Sequence, residues 1–271
     1  MALDAMPRLG LGTYSDDNRS QWRENVRTAL DVGYRHVDTA QVYENETYVG
    51  QGLRDAAVDR EDVFLATKTV HHNVPGAAEQ VPGAIDGCLD RLGVDTVDLL
   101  YVHWPSGIYD AETVLPAYDD AYDAGKTRRV GVCNFSTGLL DEAMDTLDAP
   151  LFAHQAEMHP LLPREDLVAH AQEHDYRFVA YSPLGKGAVF DVPEIREVAE
   201  KHDATPAQVS LAWVLSHDSV AAIPKASSRE HMAQNLAALE LELDEEDIDL
   251  IDAIDRRHRE IDPEWGPWNW E

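Results

Sequence analysis

Eight short, nearly continuous apolar runs recur along the chain, at residues 8–13, 35–39, 63–68, 97–104, 128–133, 152–158, 177–182 and 220–225. Helical periodicity fills the intervals between them. Runs that are apolar throughout, instead of alternating with polar residues, suit parallel strands covered on both faces. Ile85, Cys88, Leu89 and Leu92 form an i, i+3, i+4, i+7 stripe stopped by Gly93, and Trp22, Val26, Ala29 and Leu30 form another stopped by Gly33. Thr205 and Pro206 cap and open a helix through about Ser216, while Asp244 and three acids after it open a late helix with Ile248, Ile251 and Ile254 facing inward. Eight strand-helix units predict a (β/α)8 TIM barrel, parallel and eight-stranded, with an extra C-terminal helix and tail. An open doubly wound sheet is the alternative, but the first run, LGLGTY, lacks the G-x-G-x-x-G spacing of a pyrophosphate loop.

One barrel fills roughly 250 residues, so the 271 residues are expected to form a single domain, with residues 257–271 as a tail over the barrel mouth. An apolar fraction of 44% suffices for a large core, whereas the formal charge of −29 disfavours nucleic acid and anionic membranes as partners. The carboxylates are dispersed, and only five of the 22 cations are lysine. Such an acidic coat repels itself unless salt screens it, which predicts a halophilic protein. Cys88 and Cys133, the only cysteines, lie in apolar stretches, so neither a disulfide framework nor a cysteine metal site is expected. The opening MALDAMPRLG is no signal peptide and no run approaches a membrane span, so we expect a cytoplasmic protein, and a monomer.

Barrels of this kind carry their reactive groups at the C-terminal strand ends. Asp38 ends the second run, Tyr43 follows it closely, Lys68 ends the third and His103 closes the fourth. Singly, each has an ordinary structural role open to it. Together they make chemical sense, because a carboxylate can hold an ammonium in an apolar mouth, and that ammonium is expected to lower the phenol pKa and make the tyrosine a usable acid.

The segments VDTAQVYENE, LATK, LYVHWP, VGVCNF, HQAEMHP, AYSPLG and AIPKAS, in this order and at these strand ends, resemble the aldo-keto reductases from Leu9 to about Leu241. The resemblance implies an enzyme that reduces aldehydes, ketones or sugar-like carbonyls with hydride from NADPH or NADH. Its catalytic tetrad would be Asp38, Tyr43, Lys68 and His103, with Tyr43 as proton donor, Lys68 and Asp38 tuning it and His103 orienting the carbonyl oxygen. It also implies that Asn134 and Gln155 bond the carboxamide, Tyr181 stacks on the nicotinamide, and Ser182 and Leu184 line the pyrophosphate path. Lys225, Ser227, His231 and Asn235 would surround the adenosine end, and Gly12 and Thr13 would join the cofactor wall. Tyr14, Trp104 and Trp265 fall where substrates are lined.

The sequence departs from the family's pattern in places. The usual N-terminal hairpin under the barrel is expected to be missing or reduced. Ala226 stands where a hydroxyl residue is usual and His231 where arginine is frequent, which weakens the expected contact with a 2′-phosphate. No metal is expected: His71 and His72 are adjacent, and HQAEMH lacks the H-E-x-x-H spacing. Two other functions fit such a barrel. One is a nicotinamide-binding regulatory subunit, and the other is a Schiff-base lyase using Lys68 or Lys225, which Asp38 disfavours by keeping Lys68 protonated.

Overall fold

The structure, a computed structural model, describes residues 3–14, 18–69, 78–105 and 109–269. Its strands are β1 (Leu11–Gly12), β2 (His36–Asp38), β3 (Phe64–Thr69), β4 (Leu99–Val102), β5 (Val130–Cys133), β6 (Leu151–Glu157), β7 (Arg177–Tyr181) and β8 (Val220–Ala222). They pair in sequence order, every pair parallel. Parallel bridges from Leu9 to Ala222 and from Gly12 to Lys225 join β1 to β8 and close the ring. Gly12 is needed there, because a Cβ on it would stand 2.5 Å from the Ile223 carbonyl oxygen. The eight expected strands are therefore present, each within or nearly within its apolar run.

Around the sheet lie α1 (Trp22–Val32), α2 (Glu46–Asp55), α3 (Val81–Leu92), α4 (Ala111–Val114), α5 (Pro116–Asp123) and α6 (Thr137–Thr146). Then come α7 (Glu165–Glu173), α8 (Pro193–Lys201), α9 (Pro206–Ser216), α10 (Arg229–Ala237) and α11 (Glu245–Asp252). Gly33 and Gly93 stop α1 and α3 with positive φ, and Thr205 with Gln208 and Asp244 with Asp247 close capping boxes on α9 and α11. In the last helix Ile251 is buried and Ile248 half-buried, while Ile254 is buried just beyond its end.

Two cores result. The outer one packs helices on the sheet, and the inner one fills the barrel with Met6, Phe64, Ala66, Leu99, Tyr101, Phe152, Ala153, Val179 and Ala221. Below the barrel the N-terminal segment makes a single 3-10 turn, Leu3–Ala5, and inserts Met6. Because side chains alternate along a strand, each inward column runs from apolar to polar toward the C-terminal end: Phe64, Ala66, Lys68 on β3; Leu99, Tyr101, His103 along and past β4; Ala153, Gln155, Glu157 on β6. That gradient places the polar layer of the barrel at its mouth. Among the described residues, no helix is long and apolar enough to cross a membrane.

Candidate active site

The mouth opens into a cavity of about 860 Å³. At its head, Lys68 and Asp38 form an ion pair with side chains 0% and 2% exposed, and Lys68 Nζ also donates to the Thr39 carbonyl at 2.8 Å. Burial works against the Lys68 charge, but the charge and hydrogen bond of Asp38, joined by Tyr43 and Cys133, together outweigh it and carry the ammonium above its ordinary range. The second Asp38 oxygen accepts from Gln155 Nε2 at 2.9 Å, so the carboxylate is bonded on both sides.

Tyr43 sits on a 3-10 turn, Gln41–Tyr43, after β2. Two buried residues hold that loop: Asn45 donates to the Thr13 carbonyl at 2.7 Å and accepts from Thr39 Oγ1, and Glu46 accepts from Thr67 Oγ1 at 2.6 Å and from Arg91. The Tyr43 ring lies 5.4 Å from Lys68 Nζ and meets the rings of Tyr14 and His103 edge-on at 5.2 and 5.8 Å. The expected lowering of its pKa is not the net effect: burial pushes the phenol up to about 12, and the Lys68 charge only opposes that rise. The phenol thus keeps its proton at neutral pH, as a donor must. Burial, helped by the Lys68 charge, drives the His103 imidazole well below its usual range, so it is neutral, and its Nδ1 is buried without a partner.

Thirteen of the eighteen sequence-named residues line the cavity: Gly12, Thr13, Tyr14, Asp38, Tyr43, His103, Trp104, Asn134, Gln155, Tyr181, Ser182, Leu184 and Lys225. Lys68 stands behind Asp38. Asn134 donates to the His103 carbonyl at 3.1 Å and accepts from the Tyr181 hydroxyl at 2.9 Å, so both polar residues of the closed end already have protein partners. Four of the named residues lie off the wall. Ser227 and His231 are exposed, Asn235 is buried in α10 beside Tyr34, and Trp265 sits against Trp104 at 4.9 Å between ring centroids. His71, His72 and Trp270 lie outside the described residues.

Sequence reasoning overlooked other parts of the wall. Lys186, Gly187 and Phe190 line the cavity from the turn after β7, where Gly185, Lys186 and Gly187 all take positive φ. The G-K-G spelling was the available signal. Ile261 lines it from the C-terminal tail, and Glu157, fully buried at the end of β6, accepts from the backbone N–H groups of Glu260 at 2.7 Å and Ile261 at 2.9 Å.

A dinucleotide fits the residues present. The cavity has amides and Tyr181 at its closed end, cations Lys186 and Lys225 at its rim, and buried unpartnered atoms in Thr13 Oγ1 and His103 Nδ1. Among the described residues, Asp141, His170 and His174 bring ligand-type atoms within 4.8 Å of one another, away from the cavity wall. Both His170 nitrogens are engaged there, Nδ1 with the Tyr176 hydroxyl at 2.9 Å and Nε2 with Asp141 at 3.2 Å.

The family model described as Aldo/keto reductase family matches residues 8–256. The chain is 35% identical to the methylglyoxal reductase DkgB of Escherichia coli O157:H7, over 98% of this chain and all of that protein. It is 34% identical to the glyoxal reductase of Bacillus subtilis (strain 168), over 94% of this chain and 91% of that protein. Among solved structures it superposes with a TM-score of 0.88 on MGS-M4, an aldo-keto reductase enzyme from a Medee basin deep-sea metagenome library, at 31% identity over 96% of this chain and 95% of that one. The thermostable aldo-keto reductase Tm1743 superposes with a TM-score of 0.85 at 33% identity, over 92% and 95% of the two chains. The chain belongs to the aldo/keto reductase family, and with it is an NAD(P)H-dependent oxidoreductase of carbonyl groups.

Proposed function

We propose that the chain reduces small α-dicarbonyls, 2-oxoaldehydes above all, and that Tyr43 delivers the proton. The observation that carries the roles is the convergence of Asp38, Tyr43, Lys68 and His103 at the head of one cavity. When bound, the nicotinamide supplies hydride to the carbonyl carbon. The protein's part is to receive the charge that develops on oxygen. A neutral His103 donates a hydrogen bond to that oxygen without competing for its proton. Tyr43 transfers its proton as the alkoxide forms, and the buried Lys68 ammonium stabilises the phenolate left behind. Asp38 keeps the ammonium charged and fixed. Lys186 and Lys225 would face the cofactor phosphates, and Asn134, Gln155 and Tyr181 its nicotinamide end.

The substrate class rests on the relatives named methylglyoxal and glyoxal reductase, and on the rings of Tyr14 and His103 crowding Tyr43, which suit a small carbonyl. Oxidation of NADPH and NADH, followed by absorbance, is expected with methylglyoxal, glyoxal, simple aldehydes and ketoses. The highest kcat/KM should fall on the dicarbonyls. Tight cofactor binding with no turnover of any of them would instead indicate a nicotinamide-binding regulator.

We further propose that it works as a cytoplasmic monomer in a salt-rich cell. With 51 acids against 22 bases, repulsion should be strong at low ionic strength. The melting temperature should therefore climb between millimolar and molar KCl, by about 2–4 °C for each kcal/mol of repulsion relieved. A melting temperature that ignores KCl over that range would reject the salt adaptation.

A further inference from the structure

We propose that Glu157 is a positioning residue for the substrate: its carboxylate pins the C-terminal tail at Glu260 and Ile261 and so sets the tail side of the carbonyl pocket. The inference rests on the reductase reading above. On β6, Gln155 and Glu157 share the inward face, because residues two apart point the same way. Gln155 reaches down to Asp38, while Glu157, one step higher, reaches out to the tail. Its Oε1 accepts from Glu260 N–H at 2.7 Å and from His159 Nε2 at 3.0 Å, and its Oε2 accepts from Ile261 N–H at 2.9 Å. Three donors surround a side chain with no solvent exposure, which is what makes a buried carboxylate tolerable and its bonds strong.

Side chains also tie this part of the chain to the barrel, Arg256 to Glu194, Lys186 to Glu260 and the His258 ring to His159, but the backbone has few such ties. From the end of α11 to the short turn Pro267–Asn269 the tail has no helix or strand. Among the described residues, its backbone N–H groups reach the barrel at three points: His258 to the Leu161 carbonyl, and Glu260 and Ile261 to Glu157. From this anchor onward the tail reaches the pocket directly at Ile261 and, behind Trp104, through Trp265 and Trp268. Ile261 lines the cavity, Asp262 accepts from the Trp268 indole at 2.8 Å, and Trp265 and Trp268 lean on Trp104 at 4.9 and 5.8 Å. Glu157 itself is not on the cavity wall, so it acts through the tail.

The test uses the full chain with Glu157→Ala, and with Glu157→Gln, which keeps the shape but turns one acceptor into a donor facing an N–H. Trypsin cleavage at Arg256, Arg257 and Arg259, read by mass spectrometry, reports tail release. Steady-state kinetics with methylglyoxal and fluorescence titration with NADPH report the pocket. Expected are faster tail cleavage and a KM raised about tenfold, with kcat and NADPH affinity within about twofold, the pattern of lost ground-state binding. A lowered melting temperature with cleavage and KM at wild-type values would overturn the proposal and leave Glu157 a plain stability residue. If the wild type reduces no carbonyl, the reductase reading fails, and tail cleavage alone still decides whether Glu157 holds the tail.

Discussion

Tyr43→Phe is expected to lower carbonyl turnover by at least about 10²-fold while NADPH affinity stays within about twofold. The substitution removes a hydroxyl and keeps the ring, so the edge contacts with Tyr14 and His103 persist. It also leaves the Lys68–Asp38 pair intact. Single-turnover rates and cofactor titration on the purified variant separate the two effects. A variant turning over like wild type would remove Tyr43 from the chemistry. Lys68→Met is a poorer probe of catalysis. It strands a buried Asp38 carboxylate, and breaking a buried pair costs about 3–5 kcal/mol, so lost activity there would mix chemistry with folding.

The strands were legible because a sheet covered on both faces needs unbroken apolar runs, and the helix ends because Gly33, Gly93, Thr205 and Asp244 have local backbone reasons to stand where they do. The meeting of Asp38, Lys68 and His103 at the cavity mouth was legible for a related reason. Reactive groups of such a barrel sit at C-terminal strand ends, and Asp38, Lys68 and His103 close the second, third and fourth runs. The direction of the Tyr43 shift was not legible. The Lys68 charge can be inferred from sequence, but the depth of burial that outweighs it is a property of the closed barrel.

Glu157 escaped sequence reading for a different cause. Its partners are backbone amides 103 and 104 residues away, and amides carry no signature in the sequence. The adenosine end fell between these cases. Lys225 reaches the cavity rim because β8 delivers it there, whereas Ser227, His231 and Asn235 follow on a connection and on α10, where side-chain direction depends on how the helix docks. Asn235 turns inward beside Tyr34, and Ser228 is occupied as the cap that accepts from the His231 N–H.

That arrangement bears on cofactor choice. His231 is exposed at the third position of α10, where the backbone N–H groups and the helix dipole favour a phosphate nearby. An imidazole there offers a single N–H toward a phosphate, whereas an arginine would offer a planar, permanently charged fork suited to two phosphate oxygens. With Lys225 as the cation on the cavity rim, the wild type is expected to use NADH at a level comparable to NADPH. Charge-assisted hydrogen bonds contribute roughly 1.5 to 3 kcal/mol, so His231→Arg should raise the NADPH to NADH ratio of kcat/KM by about 10- to 150-fold. Salt should blunt the gain, because the position is open to solvent. The ratio is to be measured for both proteins in matched low-salt buffer. A wild type already strongly selective for NADPH, with a ratio the substitution does not move, would transfer the discrimination to another cation, and Arg229, exposed at the first position of the same helix, is where the next substitution would go.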